Sequence, residues 1–529
     1  MACHPSALLA IGGFAVLYRL LTLRDLTNDH FMQLAWAQQL LFGELPGRDW
    51  VDPGQILASA IAAAGQWVAP GPFSEAVICA VMLGVAAALV HATVARTTGS
   101  ALVGLAAAAA TIALAPRLYN YPKLLAPAVA LWLLHRYVET RERRALIWCG
   151  GWLVAATLLR HDLGIYAALG TGAGLVVAEW PDPLKIARAV ATTAAATLVI
   201  ALPYILYVAW SEGIAEHVRV GLEFTKGEAH QLRYDWPMFP AITSAFAQPW
   251  GRADSTAVLY YLCGALPVAG AIVLSLRRRT LRQPAVAVAA LVMLAAYVPL
   301  VLRDPLDQRL PDLAVPLVTS AALVAAAAWH AGLAIRSLTV ALVVVAAAST
   351  WQLGRVSEGI RQAGFASPLR IPAKLAGTAR DGRQWPWTPF WPNSGGLPAA
   401  IQYLDACTGP DDSIMLTWSS PEYYVFARRR FAGGHALFSS PEAFATDRDQ
   451  QAIVDRLERQ RPLLVLINQT ERADFRRAFP AADAYLDAHY TPVSSFTHYD
   501  DAEIVIAALR GTEPVTVYGE AGLPCYRVS

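Results

Sequence analysis

The chain is short of charge. Only 16% of its 529 residues are Asp, Glu, Lys or Arg, against about a quarter in soluble domains. A net charge of +2 excludes the basic footprint of a nucleic-acid partner. Six cysteines are scattered with no CxxC pair or other zinc-ligand spacing, which excludes a cysteine-built zinc site. HExxH, P-loop and GxSxG patterns are missing, so the metalloprotease, nucleotide-hydrolase and α/β-hydrolase readings fall away. Acidic groups are missing from the interiors of the apolar runs. Ion-coupled transporters bury such groups near the membrane midplane, so polar chemistry in this chain belongs at the membrane edge.

Apolar residues fill the gap: 56% of the chain is hydrophobic and the mean hydropathy is +0.39. Runs near 6–23, 75–95, 100–115, 122–138, 145–159, 163–178, 189–209, 256–276, 285–302, 312–330 and 337–353 read as eleven membrane spans. The first carries no clear cleavage site and reads as a retained anchor. Ile56 to Ala69 is short, contains Gly65 and Gln66 and is bracketed by prolines, which fits an interfacial helix. With eleven spans and the N-terminus inside, the cytoplasmic loops hold Arg96, Arg141, Arg143, Arg144, Lys185, Arg188, Arg277, Arg278, Arg279, Arg282 and Arg336. That is roughly threefold the cation density of the opposite side, as the positive-inside rule requires.

The expected architecture is mostly α: a polytopic membrane helix bundle with a small extracytoplasmic C-terminal α/β domain, in the inner (plasma) membrane. The membrane module is 1–353 with a first outer loop at 24–74. An aromatic, proline-rich connector follows at 354–396, then the α/β domain at 397–529. The stretch Gln384 to Pro392 reads as a membrane-belt segment, with sugar stacking as the sharper reading. In the last region Leu397, Ala400, Ile401 and Leu404 follow helical spacing. Strands are expected at 413–418, 463–467 and 503–508, and helices near 448–460 and 474–488. A Cys407–Cys525 disulfide is open to this region if it lies outside the cell, and the plainer reading is two free thiols. Gly170, Gly172 and Gly174 read as packing contacts within a span.

The first outer loop concentrates polar chemistry. Thr27-Asn28-Asp29 opens a helix that runs to Phe42 and stops at Gly43; Phe31, Leu34, Leu41 and Phe42 share an apolar face suited to the membrane surface. Asp29 is either an N-cap or a base, and a helix N-terminus favours its charged form. His30, Asp49 and Asp52 lie in the same loop. Cations occupy the other outer turns: Arg117 and Lys123 around Tyr119 and Tyr121, Arg160 beside His161 and Asp162, and Arg303 and Arg309 beside Asp304 and Asp307. Snorkelling and surface pairing account for each alone. As a set they can hold a lipid phosphate.

A phosphate leaves as an anion and scarcely needs an acid, but it needs positive charge nearby. An acceptor hydroxyl needs a base. One aspartate and a cationic phosphate site therefore suffice for an inverting transfer of a sugar from a polyprenyl phosphate. Asp29 takes the role of base. Lys123, Arg160 and Arg309 hold the donor phosphate, and His30, Asp49, Tyr119, Tyr121, His161 and Asp162 contact substrate.

Asn28-Asp29-His30, the AxxLLFGELPGRDW stretch from Ala37 to Trp50, the short helix after it, the paired spans around Arg96 and Gly99, and the stretch Ala399 to Gly434 together resemble the GT-C superfamily of membrane glycosyltransferases. That group includes protein O-mannosyltransferases, the lipid A aminoarabinose transferase and lipopolysaccharide-core transferases. The resemblance implies that a first-loop aspartate is the base, which maps onto Asp29. Many members carry an acidic pair there, whereas Asn28 and His30 flank a single aspartate here. Members often have a further acid in the second outer turn, where this chain has Tyr121-Pro122-Lys123. The thin acidic cluster points to no metal ligand and no required cofactor, with a divalent cation compatible. Expected partners are a polyprenyl-phosphate-linked sugar, a glycan, lipid or protein acceptor, and membrane lipid. The competing readings are a lipid or sugar transporter or flippase without covalent chemistry, and a non-catalytic scaffold.

Overall fold

A computed structural model of the chain describes residues 4–23, 26, 28–52, 54–114, 117–230, 251–277, 281–303, 306–385, 387, 390, 399–438, 446–497, 502–519 and 522–527. Thr27, Arg278, Arg279, Asp304, Trp391, Pro392 and Leu397 of the readings above lie outside the described residues. The chain divides into two compact units. One comprises Met1–Leu23, Ala76–Pro203 and Arg233–Ala376; the other comprises Arg24–Glu75, Tyr204–Leu232 and Gly377–Ser529.

The helices in chain order begin with α1 (Pro5–Leu21), α2 (Asn28–Leu41), α3 (Ile56–Val68), α4 (Pro72–Thr98) and α5 (Ala101–Ala113). They continue with α6 (Pro122–Thr140), α7 (Arg143–Leu159), α8 (His161–Glu179), α9 (Pro183–Ser211) and α10 (Ile214–His230). Each of the eleven expected apolar runs falls on a helix. Among the described residues, Pro72–Thr98, Pro183–Ser211, Arg252–Leu276, Leu310–Ala328 and Leu333–Leu353 are long and apolar enough to cross a membrane. Pro5–Leu21, Ile56–Val68, Ala101–Ala113 and Pro284–Pro299 are apolar and shorter. Leu198, Val199, Leu333 and Leu338 point outward, an apolar exposure that lipid tolerates and water does not.

The first unit packs through small residues. A Cβ on Gly84 would sit 2.7 Å from the Gly12 carbonyl, so α1 and α4 meet backbone to backbone. A Cβ on Gly170 would meet Met293 at 2.3 Å, and one on Gly174 would meet Leu134 at 2.3 Å. These two glycines are the expected packing contacts. Gly172 faces open space, because it is rotated off the face that its two neighbours present.

The second unit carries a five-stranded mixed sheet of β1 (Ser413–Leu416), β2 (Arg430–Phe431), β3 (Leu464–Asn468), β4 (Tyr490–Thr497) and β5 (Glu503–Leu509), in the order β2-β1-β3-β5-β4. β1 pairs parallel with β2 and β3, and β5 runs antiparallel to β3 and β4. β1 and β3 are buried along their whole length, which suits their unbroken apolar runs. β4 lies at an edge, where Pro492 costs no ladder bond, and its register shifts between Pro492 and Ser494. A small hairpin of β6 (Thr516–Tyr518) and β7 (Leu523–Cys525) follows. Cys407 and Cys525 form a disulfide, with Cα atoms 4.6 Å apart. The helix expected at 474–488 is two helices, Arg472–Ala478 and Pro480–His489, because proline breaks the first and starts the second.

α2 does not present its apolar face to a membrane surface. Phe31 packs on Phe426 with ring centres 5.5 Å apart, and Ala37 packs with Ala62 and Ala63 of α3. The Gln39 side chain donates to the Phe431 carbonyl at 2.9 Å, and that of Gln38 to the Val425 carbonyl at 3.2 Å. The C-terminal region covers the face that Phe31 and Leu34 offer, and Leu41 alone of the apolar set is left exposed.

Candidate active site

In the second unit, α2 starts at Asn28, so Asp29 stands in its first turn and is exposed. Free backbone N–H groups and the helix dipole favour a negative group at that position. His30, the next residue, turns inward: it is 1% exposed, and its Nε2 lies 3.1 Å from Oε1 of Glu75, which is equally buried. Successive residues of a helix point about 100° apart, which separates Asp29 from His30. α2 ends at Leu41, and Gly43 leaves it in the left-handed region with φ of 81°, as the glycine stop requires.

The loop after α2 is a charged knot. Asp49 accepts from the Leu45 N–H at 2.8 Å and from Arg48 at 2.6–3.0 Å. Burial pushes its pKa up, but the bonds from Arg48 and the Leu45 N–H outweigh it and hold the carboxyl below its ordinary value. Glu44 goes the other way: burial, reinforced by the charge of Asp49, pushes its pKa up to about 7 against the opposing pull of Arg430 and Arg48. Asp52 is buried and accepts from the N–H groups of Gly54 and Gln55, both at 2.9 Å. Burial raises its pKa. On the following segment, His217 Nδ1 lies 2.7 Å from Glu212, and that contact raises the imidazole pKa. Asp52 is thus a turn-former, and Asp49 is committed to Arg48 and its own loop.

In the first unit three turns converge. Lys123, at the start of α6, donates to Asp312 at 2.6 Å, and both side chains are almost fully buried. Asp312 comes from the tight turn Leu310–Leu313. Arg160, between α7 and α8, grips Asp162, with Nε to Oδ1 at 2.6 Å. Arg160 and Arg309 both lie within electrostatic reach of Lys123, and Asp312 lies within reach of Arg160. The Lys123 ammonium sits 5.9 Å from the Tyr119 ring centre. Arg117 donates to the Tyr119 hydroxyl at 3.3 Å and also bonds Gln308, and Arg252 pairs with Asp307 at 2.6 Å. His161 is half-buried at the first position of α8. Tyr121 is fully buried under the Arg19 guanidinium, and its hydroxyl has no hydrogen-bond partner among the described residues. Lys123, Arg160 and Arg309 thus stand in one neighbourhood, with Asp312 on Lys123 and Asp162 on Arg160.

The structure therefore gathers Lys123, Arg160, Arg309, Tyr119 and Asp162 in one unit and Asp29, His30 and Asp49 in the other. Two partners went unread in the sequence: Glu75, which takes His30, and Asp312, which takes Lys123. Each stands at the very start of a long apolar run. An acid at that position is a helix-start signal that also marks where a buried cation can find a counter-charge.

No protein-family model matches the sequence, and no curated protein matches it. Among the solved structures similar to this chain are the following two. One is ArnT from Cupriavidus metallidurans bound to undecaprenyl phosphate, with 13% identity, a TM-score of 0.50, and coverage of 96% of this chain and 98% of that one. The other is an Archaeoglobus fulgidus oligosaccharyltransferase in complex with Zn and sulfate, with 14% identity, a TM-score of 0.49, and coverage of 94% and 72%. At 13% identity the likeness to ArnT is one of fold, and it extends over almost the whole of both chains. The fold of this chain is thus ArnT-like from end to end.

Proposed function

We propose that this chain is a membrane glycosyltransferase. It takes a sugar from a polyprenyl-phosphate carrier and passes it, with inversion, to a hydroxyl of an envelope glycan, lipid or protein on the outer face of the plasma membrane. The observation that carries the reading is the end-to-end likeness of fold to ArnT, whose solved structure holds undecaprenyl phosphate. The gathering of Lys123, Arg160 and Arg309 where the turns of the first unit meet supports it.

In this reading Asp29 takes the proton of the acceptor hydroxyl as its oxygen attacks the anomeric carbon. The bond from that carbon to the phosphate oxygen breaks, and its electron pair leaves with the phosphate. Lys123, Arg160 and Arg309 stabilise that growing negative charge, and the geometry of Lys123 and Arg160 is already set by Asp312 and Asp162. Preorganised charge of this kind needs no rearrangement as the bond breaks. Tyr119, Tyr121 and His161 position substrate on the first unit, and His30 and Asp49 set the segment that carries Asp29 on the second.

Mass spectrometry of envelope glycans and lipids from cells with and without the protein tests the reading. The expected result is one species that loses a single sugar residue when the protein is missing. A complete and unchanged set of glycans, combined with movement of a lipid-linked sugar across proteoliposomes, would overturn it in favour of a transporter.

A further inference from the structure

The hairpin of α6 and α7 carries a second cationic feature at its other end. From Lys123, α6 runs about 20 Å before it reaches Arg136, so this end is remote from the outer turns. Arg141 closes the hairpin in the left-handed region with φ of 57°. A cavity of about 310 Å³ opens between the two helices, lined among others by Trp132, Arg136, Glu142, Arg144 and Trp148. The order along each helix is the same. Trp132 and Arg136 are one turn apart on α6, and Arg144 and Trp148 are one turn apart on α7. On both helices the guanidinium is nearer the turn and the indole lies one turn deeper.

The cations are accessible and loosely held. Arg136 reaches Glu139 at 3.1 Å and Arg144 reaches Glu142 at 2.5 and 3.0 Å, all at exposed positions where such pairs contribute little. Arg96 stacks over Trp132 at 4.8 Å and lies 3.6 Å from Glu139. Counting Arg96, Arg136, Arg141, Arg143 and Arg144 against Glu139, Glu142 and Glu179, positive charge exceeds negative at this end. Ile147 and Trp148 face outward, 44% and 68% exposed.

We propose that this cleft is a binding site for the head group of an anionic phospholipid. Arg136 and Arg144 take the phosphodiester at the mouth. Trp132 and Trp148, one turn deeper, take the glycerol-ester level, where indoles favour the boundary between head group and hydrocarbon. The outward face of Ile147 and Trp148 meets the acyl chains. A free anion would use the guanidiniums but leave both indoles without a role, which is why the lipid is the occupant. The site rests on the sequence expectation that the runs 122–138 and 145–159 cross the bilayer, and not on the transferase reading.

Native mass spectrometry of the full-length protein taken from vesicles tests this, with phosphatidylglycerol and phosphatidylcholine of matched chains offered equally and glycerol 3-phosphate offered separately. Retention of phosphatidylglycerol over phosphatidylcholine by about fivefold or more is expected. The double variant Arg136→Gln/Arg144→Gln should bring that ratio near one. Arg143→Gln, on the same hairpin but outside the cavity lining, should leave it unchanged. Trp148→Leu keeps every charge, so reduced lipid retention in that variant supports the site even where the double variant is not recovered folded. Equal retention of the two lipids by the unsubstituted protein overturns the proposal. Loss of preference in Arg143→Gln as large as in the double variant also overturns it, since the effect is then diffuse charge. Displacement of the lipid by equimolar glycerol 3-phosphate overturns it as well, in favour of a free-anion site.

Discussion

Lys123 and Asp312 allow a structural role to be separated from a functional one. Their side chains are 4% and 1% exposed and meet at 2.6 Å. Removing one partner strands a buried charge and costs about 3–5 kcal/mol, whereas replacing both with apolar groups of similar volume is often neutral or stabilising. Asp312→Ala should therefore lower stability by about 3–5 kcal/mol. Lys123→Met/Asp312→Leu should return to within about 1 kcal/mol of the unsubstituted protein. Stability is readable in detergent with a thiol-reactive dye, because Cys79, Cys149 and Cys263 are buried and report opening of the membrane bundle. Transfer from a lipid-linked sugar should follow a different rule. If Lys123 contacts the leaving phosphate, the rate falls by about 10²-fold or more in Lys123→Met and is not restored in the double variant. A double variant that recovers both stability and transfer would refute the phosphate role and leave the pair purely structural. An Asp312→Ala protein as stable as the unsubstituted one would refute the buried pair itself.

Asp29→Asn should reduce transfer by about 10²- to 10⁴-fold with an unchanged melting profile, and near-normal turnover would remove the base from the mechanism. Glu422 is buried, and burial raises its pKa from 4.5 to about 7. Because the folded value lies above the unfolded one, its contribution to stability is complete below pH 4.5 and drains away as pH rises through 7. Glu422→Gln should therefore gain stability relative to the unsubstituted protein across that window, by about 2–4 kcal/mol at its upper end; a gap that stays flat from pH 4.5 to 7.5 contradicts the shift. Cys407→Ser/Cys525→Ser opens a cross-link spanning 118 residues and should cost about 4–5 kcal/mol in the second unit, measurable by denaturant titration. Chelation by EDTA should leave transfer intact, and loss of activity restored by a divalent cation would reverse the metal-independent expectation.

Local signals in the sequence were reliable where one segment sufficed. The α2 stop at Gly43, the helix at 447–460 and the strands around 413–416 and 464–468 each follow from periodicity bounded by glycine, proline or a charged turn. The apolar runs of the first unit were equally readable, since twenty or so apolar residues have few alternatives to a helix. What escaped was decided by distant partners. β2 is two residues long and exists because Ser413 and Ile414 pair with it. β4 begins Tyr-Thr-Pro and reads as loop until β5 lies beside it. The membrane-surface reading of α2 failed because an apolar stripe looks the same whether lipid or protein covers it. The pairings of His30 and Lys123 could not be read because their counter-charges, Glu75 and Asp312, are 45 and 189 positions away.

The second unit is stitched from the beginning, the middle and the end of the chain. Val51 donates to the Gly434 carbonyl at 2.9 Å and Tyr207 to the Pro46 carbonyl at 2.6 Å. At about 5–20 residues per second, a ribosome takes roughly 15–60 s to travel from residue 75 to residue 377. Throughout that delay α2 has α3 for company but neither Phe426 nor Phe431. The packing of this first loop therefore cannot be completed until the C-terminal region has been made. A premature stop codon near position 420 should be as damaging to α2 as a lesion in the loop itself.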